Sequence, residues 1–373
     1  MSAAISPLPP PVPADHPYAP AGVLPGKVVQ GRDFVYAAAH LDHNHINGQC
    51  NGLNDAGAVL KYVYEPDAAK RNAFLEKYRT TGVQPVDRLE TILDDPEIRL
   101  VASAAIPSAR GPLGCRVLQS GKDYFTDKSP FTTLEQLAQA RRTTQQTGKK
   151  YMVYYGERLN SEAALHAGEL LAQGAIGQVV QVINLAPHRL NKANRPAWFF
   201  EKQSYGGILT DIGSHQFEQF LAYTGARDAR INSAHVANFN NPDTPGLEDF
   251  GEASLTADNG ASYYCRVDWL TPDGLRAWGD GRTFILGTEG FLEVRRLLDI
   301  ARDTGGGLIF MADKRGEYMI NCKGKVGFPF FGRLILDCLN RTENSMTQEH
   351  AFKAAELSML AQQKADEARA ATL

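Results

Sequence analysis

A chain of 373 residues that is 43% hydrophobic and 22% charged is long enough for two cores and has the composition of an ordinary globular protein. Its net charge of −3, without any Lys/Arg block, excludes an electrostatic case for nucleic acid or an anionic membrane as partner, so small molecules are the expected ligands. Five cysteines (Cys50, Cys115, Cys265, Cys322, Cys338) lie far apart with no C-x-x-C among them, which reads as buried free thiols in a reducing compartment, the cytoplasm.

Residues 1–26 hold no basic segment followed by an apolar core and no long apolar run, so neither export nor membrane spanning is expected. Residues 1–30 are instead a proline-rich arm. Pro7, Pro9, Pro10, Pro11, Pro13, Pro17, Pro20 and Pro25 force extended backbone, as a flexible tail or as an arm lying on a partner subunit. From residue 33 the pattern alternates strand and helix. Strands are expected at 34–39, 58–65, 100–106, 122–128 and 151–155, and helices at 45–56, 67–78, 86–93 and from Pro107. Thr132 with Glu135 has the spacing of a capping box for a helix running to Gly148. Such alternation implies a parallel sheet with helices on both faces and a binding crevice at the carboxyl ends of its strands.

After Gly156 the rhythm changes. A helix at 161–173 is followed by a strand at 178–185 and by strands at 231–238, 248–257, 261–270, 283–287, 290–300, 307–312 and 317–321. Asp258-Asn-Gly260 is a hairpin turn between two of them. Consecutive hairpins make a large, mainly antiparallel sheet, and helices at 331–340 and 347–368 finish the chain. The fold class is therefore an α/β Rossmann-like first half, 31–156, and an α+β second half, 157–373, whose last helix packs back on the first.

One helix interrupts the strand-rich half. It begins in Tyr205-Gly-Gly-Ile-Leu-Thr-Asp-Ile-Gly-Ser-His215, where Asp211 and His215 are one turn apart on one face. A carboxylate beside an imidazole is an acid/base pair with a built-in orienter, and equally a surface ion pair. The rest of the chain decides between these. Lys128 in Thr126-Asp-Lys-Ser-Pro130, Arg158 in Gly156-Glu-Arg158, the Ala175-Ile-Gly-Gln-Val179 entry to a strand, and Gly-Gly-x-x-x-Asp-x-Gly-x-His at 206–215 together resemble the Gfo/Idh/MocA family. That family is named for glucose-fructose oxidoreductase and inositol dehydrogenase.

The resemblance implies a dinucleotide-binding first domain, a second domain for substrate and oligomerisation, and NAD(P)-dependent oxidation or reduction of a carbinol carbon of a sugar or cyclitol. Residue by residue it implies that Lys128 is the lysine of the E-K-P motif, Asp211 the motif aspartate and His215 the histidine near the reacting hydroxyl. His215 then takes the hydroxyl proton, Lys128 donates to the same oxygen, and Asp211 orients the imidazole or binds a neighbouring hydroxyl. Arg158, His188, Arg189 and Trp198 offer donors and an aromatic wall for a polyol. A homodimer or homotetramer is expected.

Two departures stand out. The motif proline is one place late, at Pro130. Where G-x-G-x-x-G should follow strand one, His40, Asp42 and His45 occupy the glycine positions and the first glycine is Gly48. An aspartate there faces two phosphates and repels them unless it turns away or a cation intervenes. Glu65, closing strand two, stands where an acid holds the ribose 2′-hydroxyl and favours NAD over NADP. NAD is the expected cofactor, contacting His40, Asp42, His43, His45, Glu65, Ile106 and Lys128. Asp42, His43 and His45, with His188, are ligand types without metal-site spacing, and the sequence assigns no metal. Two other readings remain open: an enzyme that retains NAD for elimination, epimerisation or glycoside cleavage, and a ligand-sensing or scaffold protein without redox activity.

Overall fold

The computed structural model describes residues 9–78, 82–299 and 305–371. Strand β1 (Val35–Ala39) is five apolar residues, all buried, which suits only the middle of a sheet covered on both faces. It leads through α1 (His45–Asp55) to β2 (Val59–Tyr64), α2 (Ala68–Tyr78), β3 (Gln84–Val86), α3 (Leu89–Leu93), β4 (Ile98–Ser103), α4 (Pro107–Gln119), β5 (Asp123–Asp127), α5 (Leu134–Thr147) and β6 (Tyr151–Tyr154). The six strands are parallel in the order β3-β2-β1-β4-β5-β6. The order reverses between β1 and β4, which opens the crevice at their carboxyl ends.

Three local features differ from the sequence expectation. Strand β3 is three residues long and partly exposed, too short to show a period, and it stands where the pattern gives loop and helix start. The strand expected at 100–106 is shifted to Ile98–Ser103, because Ala104 leaves the ladder to exchange backbone hydrogen bonds with His40 and His43. The cap of α5 is one residue later than the capping-box spacing implies: Thr133 Oγ1 accepts from Gln136 N, while Gln136 Oε1 accepts from Thr132 N.

The second half runs α6 (Gly156–Leu159), α7 (Glu162–Ala172), β7 (Val179–Pro187), α8 (Lys202–Tyr205), α9 (Ile208–Asp211), α10 (Gly213–Thr224), β8 (Ala229–Ala237), β9 (Phe250–Ala257), β10 (Ser262–Asp268), β11 (Arg282–Gly287), β12 (Gly290–Arg295), β13 (Leu308–Asp313), β14 (Gly316–Asn321), α11 (Phe330–Asn340) and α12 (Gln348–Ala370). The eight strands are ordered β14-β13-β12-β11-β7-β10-β9-β8. All pairs are antiparallel except β7 with β10 at the centre, since β7 enters before the helical insertion and β10 returns after a hairpin. The expected strand end at Ile300 lies outside the described residues.

One face of this sheet is covered by α10 and α12. The other leaves Phe284, Leu286 and Phe291 exposed on neighbouring strands. The last two helices tie the halves together. Gly52 on α1 lets the Phe331 ring lie where a Cβ would be only 2.3 Å away, and Tyr155 Oη donates to Ala351 O at 2.8 Å. The described part of the proline arm is not a free tail: Val12 N donates to Met319 O on the β14 edge, and the buried Tyr18 donates to Asp313 at 2.6 Å. That contact covers an unpaired edge within the same chain. Pro7 lies outside the described residues. All five cysteines are free and buried, and no described helix is long and apolar enough to cross a membrane.

Candidate active site

The carboxyl ends of the first sheet face the second half across a cavity of about 670 Å³. The helix predicted after Gly207 is built in two pieces, α9 and α10, joined at Ile212. Gly206 and Gly207 have φ of +88° and +92°, which favour glycine, and a Cβ on Gly207 would fall 2.2 Å from Gln362. The close approach lets Gln362 Oε1 accept from Leu209 N and Glu248 Oε2 accept from Ile208 N, so side chains from distant elements cap a helix start that has no cap of its own.

This start presents Asp211 to Lys128 at the end of β5. Lys128 Nζ donates to Asp211 Oδ1 at 2.6 Å, with both side chains less than a tenth exposed. Burial opposes ionisation of Asp211, but the charge and hydrogen bond of Lys128 outweigh it and hold the carboxyl below its usual range. His215 lies one turn further on, 3% exposed, and lines the cavity. Burial pushes its imidazole down to about 3, so the ring is neutral at physiological pH. Its Nδ1 has no hydrogen-bond partner among the described residues. The expected Asp211–His215 pair is therefore not formed: the carboxylate is committed to Lys128, and the imidazole stands alone.

The opposite wall joins His188 to groups outside the expected set. Glu157 Oε1 lies 2.9 Å from His188 Nε2 and 3.4 Å from Arg296, and Gln216 donates to its other oxygen at 2.6 Å. Burial again opposes ionisation, yet Arg296 and His188 hold the carboxyl well below its usual range. Arg195 donates from Nε to Leu190 O, and its guanidinium lies over Phe199, Trp269 and Trp278 at 4.3, 4.9 and 5.3 Å. The two tryptophans belong to the polar and aromatic stretch from Asp268 to Asp280, a signal visible in the sequence. The only pointer to Glu157 is that it adjoins Arg158, the residue the family pattern selects.

Of the residues expected at the site, His43, His45, Lys128, His188 and His215 line the cavity, and Asp211 joins it through Lys128. Arg158 does not reach it, since both its Nε and Nη2 are bound to the buried Glu218. Arg189 is spent on the carbonyls of Pro272, Asp273, Leu275 and Ala277, pinning that loop. Trp198 packs against Phe199 while Trp269 and Trp278 form the aromatic wall. Ile106 is the residue before α4 and is not in the lining.

The β1–α1 turn takes a glycine-like path without glycine. His40 has φ +57° with its ring edge-on to Tyr64. Asp42 turns away to Lys70 at 2.5 Å. Glu65 is buried with one oxygen on Leu41 N at 2.6 Å and the other on Asp67 N at 2.9 Å. His43 N donates to Ala104 O, lacing the turn to the end of β4, and His45 N points at His43 Nδ1. The turn's N–H groups at 41, 43 and 45 are thus satisfied internally.

This is the architecture and charge pattern of a dinucleotide-type oxidoreductase. Residues 37–155 match the oxidoreductase family described as NAD-binding Rossmann fold, and residues 164–293 match the GFO/IDH/MocA C-terminal domain. The chain belongs to the Gfo/Idh/MocA family of oxidoreductases, whose cofactor is NAD. A solved structure from Erwinia carotovora atroseptica SCRI1043, provisionally described as an oxidoreductase, is 46% identical with a TM-score of 0.86, over 89% of this chain and 99% of that one. D-xylose dehydrogenase of Paenarthrobacter nicotinovorans is 24% identical over 132 residues, 34% of each chain. The scyllo-inositol 2-dehydrogenase (NAD(+)) of Bacillus subtilis (strain 168) is 25% identical over 211 residues, 55% of this chain and 58% of that one. The matches thus span about a third and somewhat over half of these two curated relatives.

The fit to NAD is uneven. At the reacting end, Lys128, its counter-ion and a neutral imidazole suit a carbinol beside a nicotinamide. At the turn, the spent N–H groups give a diphosphate no glycine-type cradle, and the acid that would hold a ribose is tied to backbone.

Proposed function

We propose that the protein is an NAD-dependent oxidoreductase acting between a secondary hydroxyl and a keto carbon of a sugar, cyclitol or related polyol. The observation that carries this reading is the convergence of the Lys128–Asp211 pair and neutral His215 on one cavity. Bound NAD would supply the hydride acceptor. The chain's own residues do the rest. His215, neutral and with an open lone pair, takes the hydroxyl proton. Lys128, its ammonium held in place by Asp211, donates to the same oxygen as negative charge develops there. Trp269, Trp278 and Arg195 give a polyol ring an apolar wall edged with donors. The relatives named for D-xylose and scyllo-inositol support the substrate class.

In this reading 31–156 is the cofactor half and 157–373 the substrate half, in a cytoplasmic homodimer or homotetramer. The exposed Phe284, Leu286 and Phe291 support self-association, which light scattering reads. The spent donors of the turn favour one alternative, a ligand-binding protein without turnover. NAD and NADP titration followed by a sugar and cyclitol panel separates the two. Turnover that His215→Asn abolishes supports the enzyme; turnover that survives His215→Asn overturns the assignment of His215. NAD binding with no turnover on any polyol favours the alternative.

A further inference from the structure

The turn carries two imidazoles that the proposed reaction does not use. His45 Nδ1 lies 2.8 Å from Asp127 Oδ1, and His43 Nδ1 lies 3.3 Å from Asp127 Oδ2. The first contact is an ordinary hydrogen bond when His45 carries its proton on Nδ1. The second has no such solution, because the backbone N–H of His45 also points at His43 Nδ1, from 3.3 Å. With a proton on that nitrogen, two donors face each other. Without one, a lone pair faces a carboxylate oxygen. Neither tautomer satisfies both neighbours; a cation between nitrogen and oxygen resolves the contact with Asp127, taking the single Nδ1 lone pair at which the His45 N–H points.

We propose that His43, His45 and Asp127 bind one divalent transition-metal cation that prefers nitrogen and oxygen ligands, zinc being the type, with its remaining coordination positions open to the cavity. The three residues each offer a ligand atom, and these atoms all lie within 4.8 Å of one another. Zinc bonds of about 2.0–2.2 Å draw ligand atoms to roughly 3–3.5 Å apart, so small side-chain shifts close the group. Asp127 is braced from outside the group: Arg110 Nη2 donates to Oδ2 at 3.2 Å and Lys128 N to Oδ1 at 2.8 Å, the support that metal-ligating carboxylates characteristically have. Lys128 has Asp211 as its own counter-ion and does not call on Asp127 for balance.

The ring centre of His215, whose Nδ1 is unpartnered, lies 6.5 Å from that of His45, so the cation and the reacting corner share one cavity. The set differs from the one visible in sequence. Asp42 is taken by Lys70 and His188 by Glu157, and the carboxylate comes instead from the end of β5, 82 positions from His45. The site also gives a reason for one imidazole, His45, where a dinucleotide turn has a glycine.

The test uses the full chain stripped with chelator, without dinucleotide, titrated with Zn²⁺ alone and with Co²⁺ alone. The expected result is one equivalent of zinc bound, and visible absorption from Co²⁺ in a low-symmetry site. His43→Ala and His45→Ala are each expected to weaken zinc binding about tenfold or more with circular dichroism unchanged. Asp127→Asn should do the same; if that buried variant fails to fold, the two histidine variants decide. No stoichiometric uptake, or uptake that both histidine variants leave intact, overturns the site. NAD titration of the metal-free protein is scored separately, so loss of either proposal leaves the other standing.

Discussion

The cavity has two rims, and they treat their polar groups in opposite ways. At the 128/211/215 corner each group is fixed by a partner far along the chain: Lys128 by Asp211, and the helix start by Gln362 and Glu248. One imidazole is left over. At the 40–45 turn the partners are close by, in Glu65, Ala104, Lys70 and the turn itself, and the backbone donors at 41, 43 and 45 are all used. Both rims descend from one family pattern, but at the corner an imidazole, His215, keeps an unpartnered nitrogen, whereas at the turn the backbone donors that would meet a diphosphate are used. Reactivity follows from a group that is held firmly yet not satisfied, rather than from the presence of a motif residue.

Breaking the corner should therefore have the largest effect. Lys128→Met leaves the Asp211 carboxylate buried without a counter-ion, and the expected cost is about 3–5 kcal/mol in urea unfolding. Turnover on any identified polyol should fall by roughly 10²–10³-fold. Lys128→Met with Asp211→Leu removes both charges and should recover most of the stability and none of the turnover. A single variant as stable as the parent would show that the pair is not desolvated as described. At the turn, Glu65→Gln keeps the shape but weakens the acceptor for Leu41 N and Asp67 N. A loss of about 1–2 kcal/mol is expected, smaller because no buried charge is stranded.

The pH dependence of stability joins the two rims. His43 at about 4 and His215 at about 3 both lie below 6.5, the value for an unfolded chain. Below pH 6.5 the unfolded chain takes up protons that the native state refuses. The stabilisation is full above 6.5 and is lost as pH falls toward 4, by at most about 1.4 kcal/mol per pH unit for each ring. Asp127, Asp211 and Glu157, all held low in the native state, add to the loss once pH falls below the ordinary carboxylate range. A melting temperature that falls monotonically from pH 7 to pH 4, with a shallower slope in His215→Asn, is the expected record. A flat profile would mean that these rings are protonated in the native state.

Much of the fold and part of the site are legible in the amino-acid sequence. Alternation of apolar strands with helices locates both sheets, because strands buried on both faces read as continuous apolar runs and hairpin strands as alternating ones. The spacing 211/215 marks a helix start at the cavity, and Lys128 follows from its place at a strand end. What the pattern does not carry is which group each side chain meets. Asp211 is one turn from His215 in sequence, but Lys128 is a stronger electrostatic partner and arrives from 83 positions away. Arg158 and Arg189 have the look of ligand donors and are consumed by Glu218 and by backbone carbonyls. Arginines with five donors are readily satisfied within the protein, and no local pattern reveals the acceptor. Glu157 and Arg296 escape sequence reading for the same reason, since their convergence is a product of tertiary folding.

The smallest effect expected is also the sharpest test of how the turn departs from its family. His40 has φ +57°, a conformation that costs a side-chain-bearing residue roughly 1 kcal/mol and glycine almost nothing. His40→Gly removes that cost and also the ring contact with Tyr64, worth about 0.5–1 kcal/mol, so stability should change by less than about 1 kcal/mol. NAD affinity is the more telling readout. If the side chains at the glycine positions are what bar a diphosphate, restoring the first glycine should tighten binding. The hydrogen bonds point the other way: the N–H groups at 41 and 43 are held by Glu65 and Ala104, neither of which a glycine at 40 displaces. NAD affinity in His40→Gly is therefore expected to stay within about twofold of the parent, under about one RT unit of binding energy. A tenfold gain would place the barrier in the side chains and return the turn to the family pattern.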